Sequence, residues 1–255
     1  MLNFSSVQLD TWIAGFLWPF IRILALISSA PVIGHRGVPM RVKVGLAALM
    51  AMLIAPTIQN GDQFSIGSSA GFILVLQQVL IGVAMGFTLR IIFAAVELAG
   101  EVIGTQMGLN FAGFFDPQSS QQGTPIGAWL GLLITLIFLA MNGHLMLLAS
   151  INESFRIVPI APDAGLVGDW RKLALIGSEL FRIGLYASLP VIAAMLTCNI
   201  ALGVLARVAP QLNVLAVGFS ITILVGFLVL YLSLPVIGVF LQGSIERGMG
   251  LMLWR

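Results

Sequence analysis

Charged side chains are scarce in this sequence of 255 residues: Asp, Glu, Lys and Arg make up 9% of it, and hydrophobic residues make up 59%. A soluble domain carries about 25% charged residues. With a mean hydropathy of +1.05, the chain cannot cover itself with a polar surface, so lipid or other apolar subunits must contact most of its outside. In such surroundings only helices or closed barrels satisfy their backbone groups. The long, continuous apolar runs favour helices, because barrel strands alternate apolar and polar residues over about ten positions.

Cysteine and histidine are also nearly absent. The single cysteine, Cys198, leaves no disulfide framework within the chain. The two histidines, His35 and His144, lie in different turns, and no HExxH motif or set of cysteine ligands accompanies them. No P-loop and no G-x-G-x-x-G fingerprint follows a strand. We therefore expect no metal, no cofactor and no catalytic centre, and we expect that the chain is not an enzyme.

The basic residues form no continuous face. Twelve Lys and Arg residues stand against ten Asp and Glu residues, for a net charge of +2, and they are scattered in ones and twos. A protein that follows a phosphate backbone needs clustered positive charge. We therefore expect no nucleic-acid partner.

The sequence contains apolar runs that are about as long as a membrane-spanning helix, which needs about 20 residues. About six are visible, at residues 12–33, 42–58, 70–96, 126–149, 173–206 and 214–241. Two of them, 70–96 and 173–206, exceed a bilayer span, and the second holds Glu179, Arg182 and Pro190. These features predict an all-α polytopic membrane protein with long, kinked or tilted helical hairpins, organised as a single membrane-embedded domain.

Charges inside apolar segments are costly and need partners. Six residues are of this kind: Arg22, Arg90, Glu97, Glu101, Glu179 and Arg182. One segment gathers several of them on one face with glycines. At 100° per residue, eight residues fall in a stripe roughly 100° wide. Glycines at four-residue spacing allow close helix approach, so this stripe predicts a seam between helices or subunits. The alternative is a proton relay through one of its carboxylates. The stripe consists of Gly82, Gly86, Arg90, Glu97, Gly100, Glu101, Gly104 and Gly108.

The segment 107–122 differs from both of its neighbours. It joins bulky aromatic residues to glycines and then runs into a polar tail that contains Pro117. Apolar side chains on a loop bracketed by glycines suit a movable plug that fills a hydrophobic constriction. An interfacial re-entrant turn, with phenylalanines resting on lipid headgroups, is the other interpretation.

Particular residues resemble those of a known family. The run Arg207-Val208-Ala209-Pro210-Gln211-Leu212-Asn213-Val214, followed by Val217-Gly218-Phe219, resembles the most recognisable signature of the FliR family. The segment 111–118, Arg22 and the turn at 31–39 are similar to parts of the same family. The similarity covers essentially the whole chain.

The resemblance implies a subunit of the flagellar type III protein export gate, to which the corresponding injectisome subunits are homologous. One such subunit would assemble with several FliP-like and FliQ-like subunits, and an FlhB-like subunit would associate with them. Together they would form a channel that passes unfolded export substrates across the bacterial inner membrane at the flagellar basal body. Part of this complex would project to the periplasmic side.

The resemblance also implies roles for parts of the chain. Residues 1–168 would be FliP-like, and residues 169–255 would form a FliQ-like helical hairpin. The pore plug would comprise Met107, Phe111, Phe114, Phe115, Asp116, Pro117 and Gln118. The hairpin turn, in contact with a partner, would comprise Arg207, Pro210, Gln211 and Asn213. The rival hypothesis is an ion-coupled small-molecule transporter, which broken helices and buried carboxylates would also suit.

Overall fold

The computed structural model describes residues 6–58, 68–111, 123–161, 170–209 and 214–252. Within these ranges it contains helices and no strands, which confirms the prediction of an all-α fold. Two short 3-10 helices, Ala55–Thr57 and Leu109–Phe111, follow α2 and α3. The α-helices are α1 (Ser6–Ser29), α2 (Met40–Ile54), α3 (Ser69–Gln106), α4 (Pro125–Ala140), α5 (Gly143–Ile157), α6 (Trp170–Val208) and α7 (Val214–Leu251).

Several of these helices are long and apolar enough to cross a membrane, which confirms a polytopic membrane protein. In the described part of the chain there are four, at Met40–Thr57, Ser69–Gln106, Ala174–Val208 and Val217–Leu251. Helices α4 and α5 together make a fifth candidate span that is broken in the middle. The apolar part of α1, Ile13–Ser29, is shorter.

The two overlong apolar segments of the sequence lie in helices that are longer than a bilayer requires. Helix α3 has 38 residues and α6 has 39, and at 1.5 Å per residue each is about 57 Å long. The hydrocarbon core is about 30 Å thick. Helix α6 continues through Pro190, and α7, with 38 residues, continues through Pro235. At ordinary tilts, part of each long helix must therefore lie outside the hydrocarbon core.

The predicted segment 126–149 is not one helix. Helix α4 ends at Ala140, and Asn142 has a φ of 56°, in the left-handed region that interrupts a helix. Asparagine adopts this conformation more readily than most residues. Helix α5 then begins at Gly143 and runs to Ile157, well beyond the end of the apolar stretch.

The chain forms two compact units that interleave along the sequence. The first consists of Met1–Arg90, Asn142–Ile176 and Arg247–Arg255, and the second of Ile91–Met141 and Gly177–Glu246. Helices α3, α6 and α7 each contribute to both units. The division into a FliP-like part and a FliQ-like part at residue 168 stays a prediction.

The first unit is built on contacts of α1. Ala14, Trp18 and Leu74 form a buried apolar cluster, against which Ile160 packs. The guanidinium of Arg22 is buried beside this core. Thr57, just after α2, donates a hydrogen bond to Asn152 Oδ1 of α5 over 3.3 Å.

The second unit is built on the C-terminal half of α3. The rings of Phe93 and Phe138 pack edge to face, with centroids 5.7 Å apart, and so join α3 to α4. Gly184 of α6 lies against α3: a Cβ there would be 2.9 Å from the carbonyl oxygen of Ala95. Close contacts at small residues therefore hold α4 and α6 on α3.

Candidate functional site

The first half of the predicted glycine stripe faces α1 in the first unit. A Cβ added at Gly82 would collide with the carbonyl oxygen of Arg22, and one added at Gly86 would collide with the hydroxyl of Ser29. Both glycines are buried. The missing side chains are what allow α1 and α3 to approach at this distance.

The second half of the stripe faces α4 in the second unit. A Cβ at Gly100 would collide with the backbone of Gly127, and one at Gly104 would lie 2.7 Å from the Cβ of Thr124. These four glycines thus lie at helix–helix contacts within the chain. A contact of the stripe with another subunit stays a prediction.

The charged members of the stripe lie in different surroundings. Arg90 and Glu97 are exposed. Glu101 is partly buried, and its Oε1 accepts a hydrogen bond of 2.7 Å from the backbone N–H of Thr124. This hydrogen bond gives Glu101 a partner within the chain, so its position does not require a proton relay. Glycines and charges therefore share one face of α3, and the side chains of Glu101 and Glu97 lie beside Gly127 and Gly131 of α4.

Arg22 has the most complete set of partners among the charged residues of the apolar segments. It is 0% exposed. Its Nε donates to Gln78 Oε1 over 2.7 Å, its Nη2 donates to the carbonyl oxygen of Val158 over 2.9 Å, and its Nη1 donates to the carbonyl oxygen of Ser154 over 3.0 Å. The guanidinium carbon also lies 4.1 Å from the centre of the Phe155 ring. A single cation thus holds α1, α3 and α5 together through neutral acceptors.

The pair Glu179 and Arg182 on α6 is a local one. Arg182 Nε lies 3.2 Å from Glu179 Oε2, three residues apart on the same helix. The arginine side chain is 52% exposed. This ion pair stays within α6 and links that helix to no other, and Glu179 Oε2 is a buried oxygen that accepts no hydrogen bond from the described residues.

The structure describes the first residues of the predicted plug and the residues just after it. Met107 is fully buried, and its side chain fills the space above Gly226 of α7, where a Cβ would collide with it. The hydroxyl of Thr222 lies 3.5 Å from the carbonyl oxygen of Met107, and it donates over the shorter distance of 2.9 Å to the carbonyl oxygen of Phe219 in its own helix. Phe111 ends a short 3-10 helix. Phe114, Phe115, Asp116, Pro117 and Gln118 lie outside the described residues.

The predicted hairpin turn lies between α6 and α7. Arg207 is exposed in the last turn of α6. Pro210, Gln211 and Asn213 lie outside the described residues. In the part of the chain that the structure describes, no group of three or more His, Cys, Asp or Glu residues could hold a metal ion.

The sequence pointed to one residue of each of these contacts but not to its partners in two arrangements. It flagged Arg22 as a charge in need of partners, yet it named none of Gln78, Ser154 and Val158. It also missed the bond between Glu101 and Thr124, which are 23 residues apart. The available signal was the Thr-Pro pair at 124–125, a capping residue followed by proline in the first turn of a helix.

Comparison with known proteins gives a consistent result. A model of the family described as bacterial export proteins, family 1, matches residues 13–248. The flagellar biosynthetic protein FliR of Pectobacterium carotovorum subsp. carotovorum is 44% identical over 242 residues, which are 95% of this chain and 92% of that protein. FliR of Escherichia coli (strain K12) is 41% identical with the same coverage. FliR of Bacillus subtilis (strain 168) is 33% identical over 89% of this chain and 88% of that protein.

Proposed function

This chain belongs to the FliR family of bacterial export proteins, and from that premise we propose that it is one subunit of the flagellar type III export gate. In this proposal it forms, with FliP-like and FliQ-like subunits, a channel that passes unfolded substrates across the inner membrane. An FlhB-like subunit associates with the complex. The observation that carries the proposal is the similarity over about 95% of the chain to relatives named as flagellar biosynthetic proteins.

The exposed surface of α6 and α7 supports a role as a subunit. Large apolar side chains stand out along both helices, including Phe181 at 63% exposed, Tyr231 at 70% and Val239 at 71%. Both helices are also longer than a bilayer span. Apolar surface that extends beyond the hydrocarbon core must be covered by protein. We propose that the partner subunits cover it and that α6 and α7 are the FliQ-like hairpin.

The segment 107–122 is the proposed plug of the channel. It leaves the end of α3 at Met107, which packs against Gly226 of α7, and the residues that follow it, Gly123 and Thr124, lie beside Glu101 of α3. Its phenylalanines could fill an apolar constriction without burying a charge. The exposed Arg207 and the turn that follows it, between α6 and α7, are proposed to contact a partner subunit.

Conductance of the assembled complex tests the plug. The variant lacks residues 111–119 and is co-expressed with FliP-like and FliQ-like subunits, and the purified complex is reconstituted into vesicles. We expect the vesicles to leak small ions at rest, because the side chains that close the constriction are gone, while the yield of the complex stays normal. A fluorescent pH or potassium indicator inside the vesicles measures the leak.

The matched controls change side chains at unchanged loop length. Phe111, Phe114 and Phe115 are replaced together by alanine in one variant and by leucine in another. We expect the alanine variant to leak and the leucine variant, which keeps apolar bulk, to leak much less. Vesicles that stay tight with the deleted loop in an intact complex would contradict the plug.

A further inference from the structure

Cations that are scattered along the sequence lie at one end of the first unit. Arg36 is in the turn between α1 and α2, Arg41 is in the first turn of α2, and both are exposed. Helix α1 ends at Ser29, which lies against Gly86 of α3. The exposed Arg90 follows Gly86 by one helical turn, on the same face of α3. Arg36, Arg41 and Arg90 therefore form a basic end of the unit.

No carboxylate of the described residues pairs with an arginine of the basic end. The sequence contains no acidic residue between Asp10 and Asp62. Ion pairs in the described part of the chain belong to arginines of α5 and α6 instead. On α3, the carboxylate that follows Arg90 is that of Glu97, about two turns further on, and it lies beside Gly131 of α4. The basic end therefore carries positive charge that another molecule can neutralise.

The turn that carries Arg36 is held by contacts with its neighbours. A Cβ at Gly34 would collide with backbone oxygens at the end of α1. The buried Lys43 of α2 donates from Nζ to the carbonyl oxygen of Gly34 over 2.8 Å. The backbone N–H of Gly37 donates to His35 Nδ1 over 3.1 Å. Lys43 thus stabilises the turn, and Arg36 is exposed on a backbone that these contacts fix.

The lengths of α2 and α3 place the basic end at the level of the lipid headgroups. The candidate span Met40–Thr57 has 18 residues, which at 1.5 Å per residue is about 27 Å. The part of α3 from Ser69 to Arg90 is about 32 Å long by the same measure. The hydrocarbon core is about 30 Å thick. Each helix therefore carries its arginine about one core thickness from its opposite end.

One side of α2 is apolar and exposed along the whole helix. A Cβ at Gly45, in the middle of this side, would have nothing within 4 Å, so the surface is open there. Unlike α6 and α7, this helix does not exceed the hydrocarbon core in length. Lipid chains can therefore cover all of it. The exposed residues that share this side are Val42, Gly45, Leu49, Met52 and Leu53.

We propose that the basic end binds the phosphate groups of anionic phospholipids, whose acyl chains lie along the exposed side of α2. The planar guanidinium of arginine pairs with phosphate through two parallel hydrogen bonds. Basic residues beside a membrane helix attract anionic lipids. A zwitterionic headgroup is bound less well, because its ammonium group finds no carboxylate among the described residues of the basic end. The site is independent of the proposed export function, since it needs only a membrane and the fold of the first unit.

A fluorescent reporter on α2 measures which lipid lies beside it. Val42→Cys is introduced into a Cys198→Ala background, labelled with bimane, and assembled with cysteine-free FliP-like and FliQ-like subunits. The complex is reconstituted into phosphatidylcholine bilayers. These contain a small fraction of phosphatidylglycerol with a nitroxide on its acyl chain or, in a parallel sample, of phosphatidylcholine with the same nitroxide. The ratio of the quenching by the two labelled lipids gives the local preference for the anionic headgroup.

We expect phosphatidylglycerol to quench the reporter more strongly than phosphatidylcholine. Arg36→Gln, Arg41→Gln and Arg90→Gln should each lower this preference by up to roughly fivefold, the factor that one cation near an anionic surface contributes. Arg41→Lys should keep most of it, because the charge remains. The matched control Arg156→Gln removes an arginine that is equally exposed but lies at the end of α5, and it should match the parent. High salt should weaken the preference by screening.

Three results would overturn the site. Equal quenching by the two lipids in the parent would show that the headgroup charge is not recognised. An unchanged preference in all three glutamine variants would show that these arginines do not bind it. Quenching by neither lipid would show that protein covers this side of α2 in the complex. None of these results bears on the ion leak that tests the plug, so the proposed function would stand.

Discussion

Arg22 illustrates how this chain accommodates a charge in an apolar helix. An isolated ionised group costs several kcal/mol or more in such surroundings. Hydrogen bonds from the guanidinium to three other residues and its contact with the face of the Phe155 ring offset this cost. Arginine suits the position because its planar fork presents five donors in fixed directions. The charge thus serves to join helices.

Replacing Arg22 should destabilise the first unit. In Arg22→Met, the carbonyl oxygen of Val158 and the amide oxygen of Gln78 lose their donor while they remain buried, and the carbonyl oxygen of Ser154 keeps only the backbone N–H of Val158. We expect the free energy of unfolding to fall by about 3 kcal/mol, because each unsatisfied buried group costs about 1–3 kcal/mol and part of the structure can relax. Thermal unfolding of the chain in its complex with FliP-like and FliQ-like subunits, purified in detergent, measures it.

The matched control is Arg156→Met, an arginine of the neighbouring α5 whose side chain is 78% exposed. Its melting temperature should stay close to that of the wild type. The melting temperature of Arg22→Lys should be closer to that of Arg22→Met than to that of the wild type, because one ammonium group cannot reach three helices at once. An unchanged melting temperature in Arg22→Met would show that the hydrogen-bond network does not stabilise the fold.

At the scale of elements, α3 is the helix on which the others pack. Its glycines leave room for α1 in the first unit and for α4 in the second. The contact of Gly100 with Gly127 brings two backbones together with no side chain between them. Membrane helices gain little from the hydrophobic effect between them, so this close packing supplies much of their attraction.

A single added methyl group should disrupt this contact. Gly100→Ala places a Cβ against the backbone of Gly127, which cannot move aside as a flexible side chain would. We expect overpacking to lower the free energy of unfolding by about 1–3 kcal/mol or more. The control Gly177→Ala, on α6, has nothing within 4 Å of its Cβ, and a better helix former there should slightly stabilise the protein. Similar melting temperatures for the two variants would refute the packing argument.

At the scale of the whole molecule, the chain has more apolar surface than its own helices cover. On α7, the exposed side chains Leu232 and Val236 add to those described above, with exposed fractions of 65% and 70%. Lipid can cover the part within the hydrocarbon core. We propose that partner subunits cover the remaining length of these helices.

This surface predicts that the protein depends on its partners. Expressed alone in detergent, the chain should aggregate or elute as mixed species. Co-expressed with FliP-like and FliQ-like subunits, it should elute in one complex with a higher melting temperature, because partners that bind only the folded state stabilise it. Size-exclusion chromatography with light scattering measures both. A stable, monodisperse monomer that transports a small solute would instead support the transporter hypothesis.

The sequence alone determined the class of the protein and most of its helices. A shortage of charge and long apolar runs leave helices in a membrane as the available solution, and the motif at 207–219 is distinctive enough to identify the family. The positions of Gly82, Gly86, Gly100 and Gly104 also predicted close helix contacts, since spacing along a helix fixes which residues share a face.

Only the tertiary structure decided which groups meet. Which helix each glycine faces, the acceptors around Arg22, and the bond from Thr124 to Glu101 all join residues far apart in the chain, and periodicity carries no information about such pairs. The break at Asn142 was missed for a related reason: the apolar pattern continues across it, and the backbone turns there through one left-handed residue. Hydropathy indicates the surroundings in which a segment can be buried, whereas the tertiary structure determines which residues it packs against.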